Sequence, residues 1–394
     1  IYRKVPDWSP DSKHIAFSDK SGALYLHTIE SKETKLIDTD PFQPSDRVSW
    51  SSDSRWLAYV LNQANTRGAI WIYNTETGQK TKATSGMFND MWPTFDRKGD
   101  YLFFTSQRNF GTPAYEDVGT TFIYADTSVL AVVPLRAKVG SPWAPKSDEE
   151  LWGKEKEEKE KKDKDEKDAA KKDDKKEEKP KDGEKKEEDK PKETDADATK
   201  TADAKDEKGG DKKDEKSDKK EPPKPVEIEL EGFERRAVLL PVDKGTFSWL
   251  AVNDEGKLLY VREAARGTTA KPSLKIFDLK DEEKKEKTVL DEIGAFEISA
   301  DGKKIIVRKE ETLAIVTAAA EQKLDKPLDL SAMTGRIDPR IEWKQLFTEA
   351  WRIQRDYFYD PNMHGVDWKK TRELYKPMLA DCASRADVDY VIGE

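Results

Sequence analysis

Short apolar runs separated by turn chemistry recur along most of the chain. Trp8-Ser9-Pro10-Asp11-Ser12-Lys13 precedes His14-Ile15-Ala16-Phe17-Ser18, and Trp50-Ser51-Ser52-Asp53-Ser54-Arg55 precedes Trp56-Leu57-Ala58-Tyr59-Val60. Phe95-Asp96-Arg97-Lys98-Gly99-Asp100 before Tyr101-Leu102-Phe103-Phe104 is a third copy, and weaker ones begin at Val252 and Ile298. Each sets an Asp-Ser or Asp/Glu-Gly-like pair between an aromatic or aliphatic residue and a β-branched or aromatic run, which predicts a hairpin. Further strands are predicted at Ala23-Leu24-Tyr25-Leu26-His27 and Ala69-Ile70-Trp71-Ile72-Tyr73. A turn such as Asn74-Thr75-Glu76-Thr77-Gly78 and a polar strand such as Lys80-Thr81-Lys82-Ala83-Thr84 complete the unit. About four strands in each period of roughly 42–46 residues is the arithmetic of a β-propeller blade.

The third and fourth copies lie much further apart, with a charged run, residues 154–221, between them. Its 68 residues hold 25 Lys and 28 Asp or Glu, and its only apolar residues are six alanines, so it has nothing with which to build a core. Pro180, Pro191 and several glycines interrupt any salt-bridged helix, so a solvated, disordered loop is expected. Thr121-Phe122-Ile123-Tyr124 and Val129-Leu130-Ala131-Val132-Val133 read as strands before it. Arg235-Arg236-Ala237-Val238-Leu239-Leu240 reads as a strand after it, so the run is expected to loop out of one blade and return.

Beyond Leu330 the pattern turns helical. Asp338 with Pro339 is an N-cap followed by proline at the first helical position, and Trp343, Leu346, Phe347, Ala350, Trp351 and Phe358 recur at three- and four-residue steps. Asp360 to Gly365 reads as the turn ending this helix, Asp367 as the cap of a second helix, and Ser384 with Asp387 as a capping box for a third. The organisation expected is blades over 1–145, the charged insert over 146–225, blades again over 226–330, and a helical segment over 331–394. The fold class is mainly all-β: a multi-bladed propeller, seen as a partial ring, followed by a small α-helical segment.

Composition narrows the chemistry. The chain of 394 residues has a net charge of −9, and without the charged run it stays mildly acidic with no basic stripe, which argues against nucleic acid and anionic membrane as partners. No window approaches a membrane span. A single cysteine, Cys382, leaves no internal disulfide, and His14, His27 and His364 stand far apart, so no metal-ligand spacing occurs. With no phosphate-cradling glycine loop either, no cofactor and no metal are expected. The recurrent Trp and Phe residues are expected to pack between blades, and none is assigned to a site.

The stretch from Trp343 to Trp368 closely resembles the start of the catalytic core of tricorn-type serine peptidases. It contains Glu349-Ala350-Trp351-Arg352, Arg355-Asp356-Tyr357-Phe358-Tyr359-Asp360-Pro361 and Met363-His364-Gly365-Val366-Asp367-Trp368. The Trp-Ser-Pro-Asp-like turns agree with that family's propellers and are shared by TolB-like propellers. Ile228-Glu229-Leu230-Glu231-Gly232-Phe233-Glu234-Arg235-Arg236 with Leu240-Pro241-Val242 resembles a strand pair of its second propeller.

The resemblance implies a serine-type peptidase that degrades peptides, with the propeller gating or channelling substrate, and a homo-oligomer as the full-length protein. It implies that the catalytic residues lie downstream of Glu394. Because five visible units are fewer than the roughly six to eight blades common in a closed ring, the missing blades are expected to precede Ile1. The chain is accordingly read as a fragment, inactive alone and carrying no catalytic, cofactor-binding or metal residue. His364 is assigned to turn stabilisation, and Cys382 to packing at the end of an apolar helix. A cytoplasmic location is expected, with a periplasmic one as the alternative. The competing functional reading is a non-catalytic propeller that binds a protein or peptide. A peptidase of the prolyl-oligopeptidase kind ranks lower, because the chain enters helices rather than the strands of an α/β-hydrolase domain.

Overall fold

The computed structural model describes residues 2–4, 6–42, 47–111, 115–117, 121–124, 126–144, 224–265 and 268–394. Two compact units are present, Ile1–Pro142 with Pro222–Glu394, and Trp143–Glu221. Nearly all of the second lies outside the described residues, as does the expectation of disorder placed on it.

Five antiparallel sheets follow one another in the first unit. The first holds β1 (Asp7–Trp8), β2 (His14–Ser18), β3 (Ala23–Thr28) and β4 (Thr34–Thr39), and the second β5 (Val48–Trp50), β6 (Trp56–Asn62), β7 (Gly68–Asn74) and β8 (Lys80–Lys82). The third holds β9 (Asp90–Phe95), β10 (Tyr101–Ser106), β13 (Val129–Pro134) and β14 (Val238–Leu239), while β11 (Tyr115–Asp117) and β12 (Thr121–Ile123), between β10 and β13 in sequence, form a separate two-stranded hairpin. The fourth is β15 (Phe247–Val252), β16 (Leu258–Arg262), β17 (Ser273–Phe277) and β18 (Lys287–Asp291); the fifth is β19 (Phe296–Ile298), β20 (Lys304–Lys309) and β21 (Thr312–Thr317). Within each sheet, sequence neighbours pair side by side, with the first strand at one edge.

The middle strands β6, β10 and β13 of the second and third sheets are buried on both faces, each with five consecutive buried residues. The cause is face-to-face stacking of successive sheets. Ala16, Leu24 and Leu26 of the first sheet share a cluster with Leu57, Tyr59 and Tyr73 of the second. Ala58, Ile70 and Ile72 of the second meet Phe95, Leu102, Phe104 and Val133 of the third. Leu259, Leu274 and Ile276 of the fourth meet Phe296, Ile305 and Val307 of the fifth. A sheet covered on both sides needs apolar residues at successive positions, so these strands read as continuous runs rather than alternations.

Polar ties add register between sheets. The Ser49 hydroxyl accepts from the Phe95 N–H at 3.0 Å. Arg97, in the third hairpin turn, donates to the carbonyls of Val252 at 2.9 Å, Ala300 at 2.7 Å and Ser299 at 3.2 Å, stapling the third sheet to the fourth and fifth.

The third sheet is completed from beyond the charged run. Leu239 and Val238 of β14 pair with Ala131 and Val132 of β13. The returning chain is held before it reaches β14: the Val226 N–H donates to Asp53 at 2.6 Å and its carbonyl accepts from the Trp56 indole at 2.8 Å. The Glu229 N–H donates to the Leu135 carbonyl at 2.8 Å, and the Glu229 carboxylate accepts from the Ala137 N–H at 2.9 Å. Exit and re-entry therefore lie side by side.

The strand expected over residues 121–124 forms over Thr121–Ile123 and pairs with Tyr115–Asp117, outside the main ladder. One strand expectation fails. The segment around Ile228 to Arg236 forms no strand pair; it runs as irregular chain into a 3-10 turn, Glu234–Arg236, in which the Arg236 guanidinium takes up the carbonyls of Pro134, Glu231 and Glu229. Buried Phe233 anchors this turn in the core between the second and third sheets, a role that strand periodicity does not signal.

Three helices follow the sheets: α1 (Pro339–Tyr357), α2 (Trp368–Tyr375) and α3 (Arg385–Gly393). Their starts follow the expected capping. The side chain of Asp338 accepts from the Arg340 N–H, that of Asp367 from the Lys370 N–H, and Ser384 with Asp387 forms the reciprocal box.

Candidate functional site

The helical segment packs around Trp343, Phe347, Leu379, Cys382, Val388 and Val391. Trp351 of α1 and Trp368 at the start of α2 exchange indole hydrogen bonds: each ring N–H donates to the other residue's carbonyl, at 2.8 and 3.0 Å. The guanidiniums of Arg355 and Arg372 lie 5.0 and 5.1 Å from the Trp351 ring centroid, so that ring is held by packing, hydrogen bonding and two cations. Arg355 also forms an ion pair at 2.8 Å with Asp356, and this hydrogen bond holds the buried Asp356 carboxyl below the usual carboxylate range. An open groove of about 330 Å³ runs beside these residues, lined by Phe347, Trp351, Trp368, Tyr375 and Val391 among others.

His364 sits in the turn between α1 and α2 with φ +52°, in the left-handed region. Its N–H donates to Asp360 at 2.9 Å, and its Nε2 is hydrogen-bonded to the Tyr359 hydroxyl. The ring also lies edge-on to Phe358, at 5.2 Å between centroids. These partners hold the turn's shape and include no alcohol or thiol suited to nucleophilic attack. Cys382 is 4% exposed and its thiol donates to the Met378 carbonyl at 3.5 Å, the setting of a packing residue.

His14 and His27 each face the cross-strand partner that the sheet register gives them, Thr28 at 3.2 Å and Thr34 at 2.9 Å. Among the described residues no group of His, Cys, Asp and Glu is placed to hold a metal ion, and no helix is long and apolar enough to cross a membrane.

A second constellation escaped the sequence reading. It gathers one residue from, or next to, the first strand of each of the five sheets: Asp7, Arg47, Trp92, Trp249 and Glu297. The Arg47 guanidinium lies over the Trp249 ring, 3.8 Å from its centroid, and 5.7 Å from that of Trp92; the two indoles are 6.0 Å apart. Arg47 also reaches the Glu297 carboxylate at 3.3 Å. Burial pushes the Asp7 carboxyl up to about 6, with Arg47 opposing the shift and Glu297 adding to it.

The positions repeat. Arg47, Trp92 and Trp249 each stand three residues before the end of their first strand, at Trp50, Phe95 and Val252, while Asp7 and Glu297 each stand one residue before it. Trp92 and Trp249 share a further feature, φ values of +56° and +53°. Both fall where the ladder register shifts, between the partners of Phe103 and Thr105 in one sheet and between Ser248 and Ala251 in the other. A bulge of this kind turns its side chain out of the alternation. A recurring aromatic with a fixed offset from the blade turn was the available signal, but expecting every Trp in the core hid it.

Comparison with known proteins covers both parts of the chain. The tricorn protease second β-propeller domain matches residues 2–319, and the tricorn protease C1 domain matches residues 339–394. Tricorn protease homolog 1 of Streptomyces coelicolor is 24% identical over 98% of this chain and 32% of its own length. Tricorn protease of Thermoplasma volcanium is 22% identical over 98% and 32%. A crystal structure of the tricorn protease superposes with a TM-score of 0.66 at 17% identity, over 100% of this chain and 32% of that one. The chain spans about a third of the length of these relatives. Its two matched segments together make it a member of the tricorn protease family, with second-propeller sequence leading into C1-domain sequence.

Proposed function

We propose that this chain is the propeller and C1 portion of a tricorn-like serine peptidase that degrades peptides, the propeller admitting substrate and chain outside these residues supplying the serine nucleophile and its base. The observation that carries the reading is the pair of successive family matches, one over residues 2–319 and one over 339–394. The three histidines support the second half of it, since each is engaged by a threonine or tyrosine hydroxyl that belongs to a strand pairing or a turn. Serine chemistry requires a base against the nucleophile and donors for the oxyanion.

The test is activity-based labelling. A fluorophosphonate probe is expected to leave the 394-residue chain unlabelled and to label a longer protein containing it, with hydrolysis of fluorogenic peptides following the label. Labelling of this chain itself, lost on His364→Ala, would overturn the assignment of catalysis elsewhere. A longer protein that binds peptides without label or turnover would favour a non-catalytic binding propeller.

A further inference from the structure

We propose that Arg47, laid across Trp249 with Trp92 beside it, is a binding site for the carboxylate of an extended peptide, placed where the first strands of the five sheets meet. The proposal rests on the reading of the propeller as a route for peptides and assigns that route a chemical preference.

The first argument is repetition. One position relative to the blade turn carries Arg, Trp and Trp in three successive sheets, and the two tryptophans occupy it with a left-handed backbone. A bulky residue with positive φ is uncommon, and such strain persists where the surroundings enforce it. Here it occurs twice, at equivalent bulges, and both times it brings an indole to the same guanidinium. Core packing alone does not explain this, because both indoles remain only partly buried.

The second argument is the contrast between the stacking of Arg47 on the indoles and its ion pair with Glu297. Stacking on an indole fixes the plane of a guanidinium, and its planar fork suits a carboxylate. The side chain of Arg47 is 35% exposed, whereas that of Glu297 is 65% exposed. Exposed ion pairs hold weakly, so an incoming carboxylate displaces Glu297 far more readily than a cation would lift Arg47 from its stack. Glu297 thus occupies the place of the ligand.

Asp7 is the remaining acid in the cluster. Its carboxyl already titrates near 6, so the approach of a second carboxylate favours its protonation and relieves the repulsion. The indole faces beside the guanidinium offer apolar contact to the residues preceding the bound carboxylate.

Fluorescence anisotropy with N-terminally labelled Ala/Phe hexapeptides tests this on the 394-residue chain. One peptide ends in a free carboxylate, one is amidated, and one is amidated but carries a single Glu. The free acid is expected to bind about tenfold more tightly than the amide, and Arg47→Gln to reduce that preference to about twofold or less. Glu297→Gln, a change at an exposed side chain, is expected to tighten the free acid about threefold, while Glu311→Gln, which removes the same charge from the turn between β20 and β21, leaves it unchanged.

Recovery of tight binding by the Glu peptide assigns the site to any carboxylate; no recovery assigns it to the C-terminal one. Equal binding of all three peptides, a preference that survives Arg47→Gln, or an equal gain from both glutamate variants overturns the site while leaving the propeller as a peptide route. Failure of every peptide to bind overturns the route as well.

Discussion

At the scale of single residues, the repeated turn owes its identity to side-chain hydrogen bonds. The Ser9 hydroxyl donates to Asp11 at 2.6 Å and accepts from the His14 N–H at 2.9 Å, and the Ser51–Asp53–Trp56 and Ser299–Asp301–Lys304 sets repeat it. Ser12 and Ser54 take φ near +60° where other copies use Gly99, Gly256 and Gly302, which is why Asp-Ser and Asp/Glu-Gly turns read as one motif. Gly22 lies at the next turn of the first sheet with φ +86°, and a Cβ there would stand 1.9 Å from the Asp40 carbonyl oxygen. Gly22→Ala is expected to destabilise the protein by about 3 kcal/mol, read as a thermal midpoint several degrees lower. Asp7 predicts a pH dependence. The folded carboxyl keeps its proton to about 6 while the unfolded one releases it near 3.8, so the folded state binds more protons between those values and stability falls as pH rises through them. Asp7→Asn should stabilise by about 1–2 kcal/mol at pH 7 and by almost nothing at pH 4, as denaturant midpoints at the two pH values will show.

At the scale of elements, strands and helices were legible to different degrees. The helix starts were clear because a cap is a local device: Asp338, Asp367 and Ser384 each bond to an N–H two or three residues ahead. Ser384→Ala is expected to cost about 1 kcal/mol in chemical unfolding. The hairpins were clear because turn and strand are contiguous. The chain between Val226 and Ala237 was misread, since its bonds go to Asp53, Trp56 and Leu135, far away in sequence, and no periodicity records a partner that distant. The Arg47 and tryptophan cluster was hidden for a related reason: a bulge breaks the two-residue alternation by which a strand announces which side chains face inward. The reciprocal indole bonds between Trp351 and Trp368 were equally invisible, although both residues lie in the stretch from Trp343 to Trp368 that carries the resemblance. Trp351→Phe and Trp368→Phe should therefore be non-additive in a double-mutant cycle, with a coupling of about 1 kcal/mol. Additive losses would mean that the two bonds act separately.

At the scale of the whole molecule, the third sheet is the place to probe. Its outermost strand arrives after the charged run, yet Leu135 and Ala137 are already hydrogen-bonded to Glu229 before that strand forms. Limited trypsin digestion is expected to cut first between Lys154 and Lys220 and to leave the two pieces associated on a sizing column; pieces that separate without denaturant would count against the pairing of β13 with β14. Loop closure depends only weakly on length, so replacing residues 146–222 with a linker of about ten Gly/Ser residues should shift stability by about 1 kcal/mol in the stabilising direction. The clamp at the base of that excursion also makes the blade a host for guests. A folded domain whose own two ends lie close together can be grafted between residues 146 and 222 without disturbing the five sheets. A fluorescent guest placed there would ride on the propeller as a tag, leaving the first-strand cluster and the helical segment unlabelled.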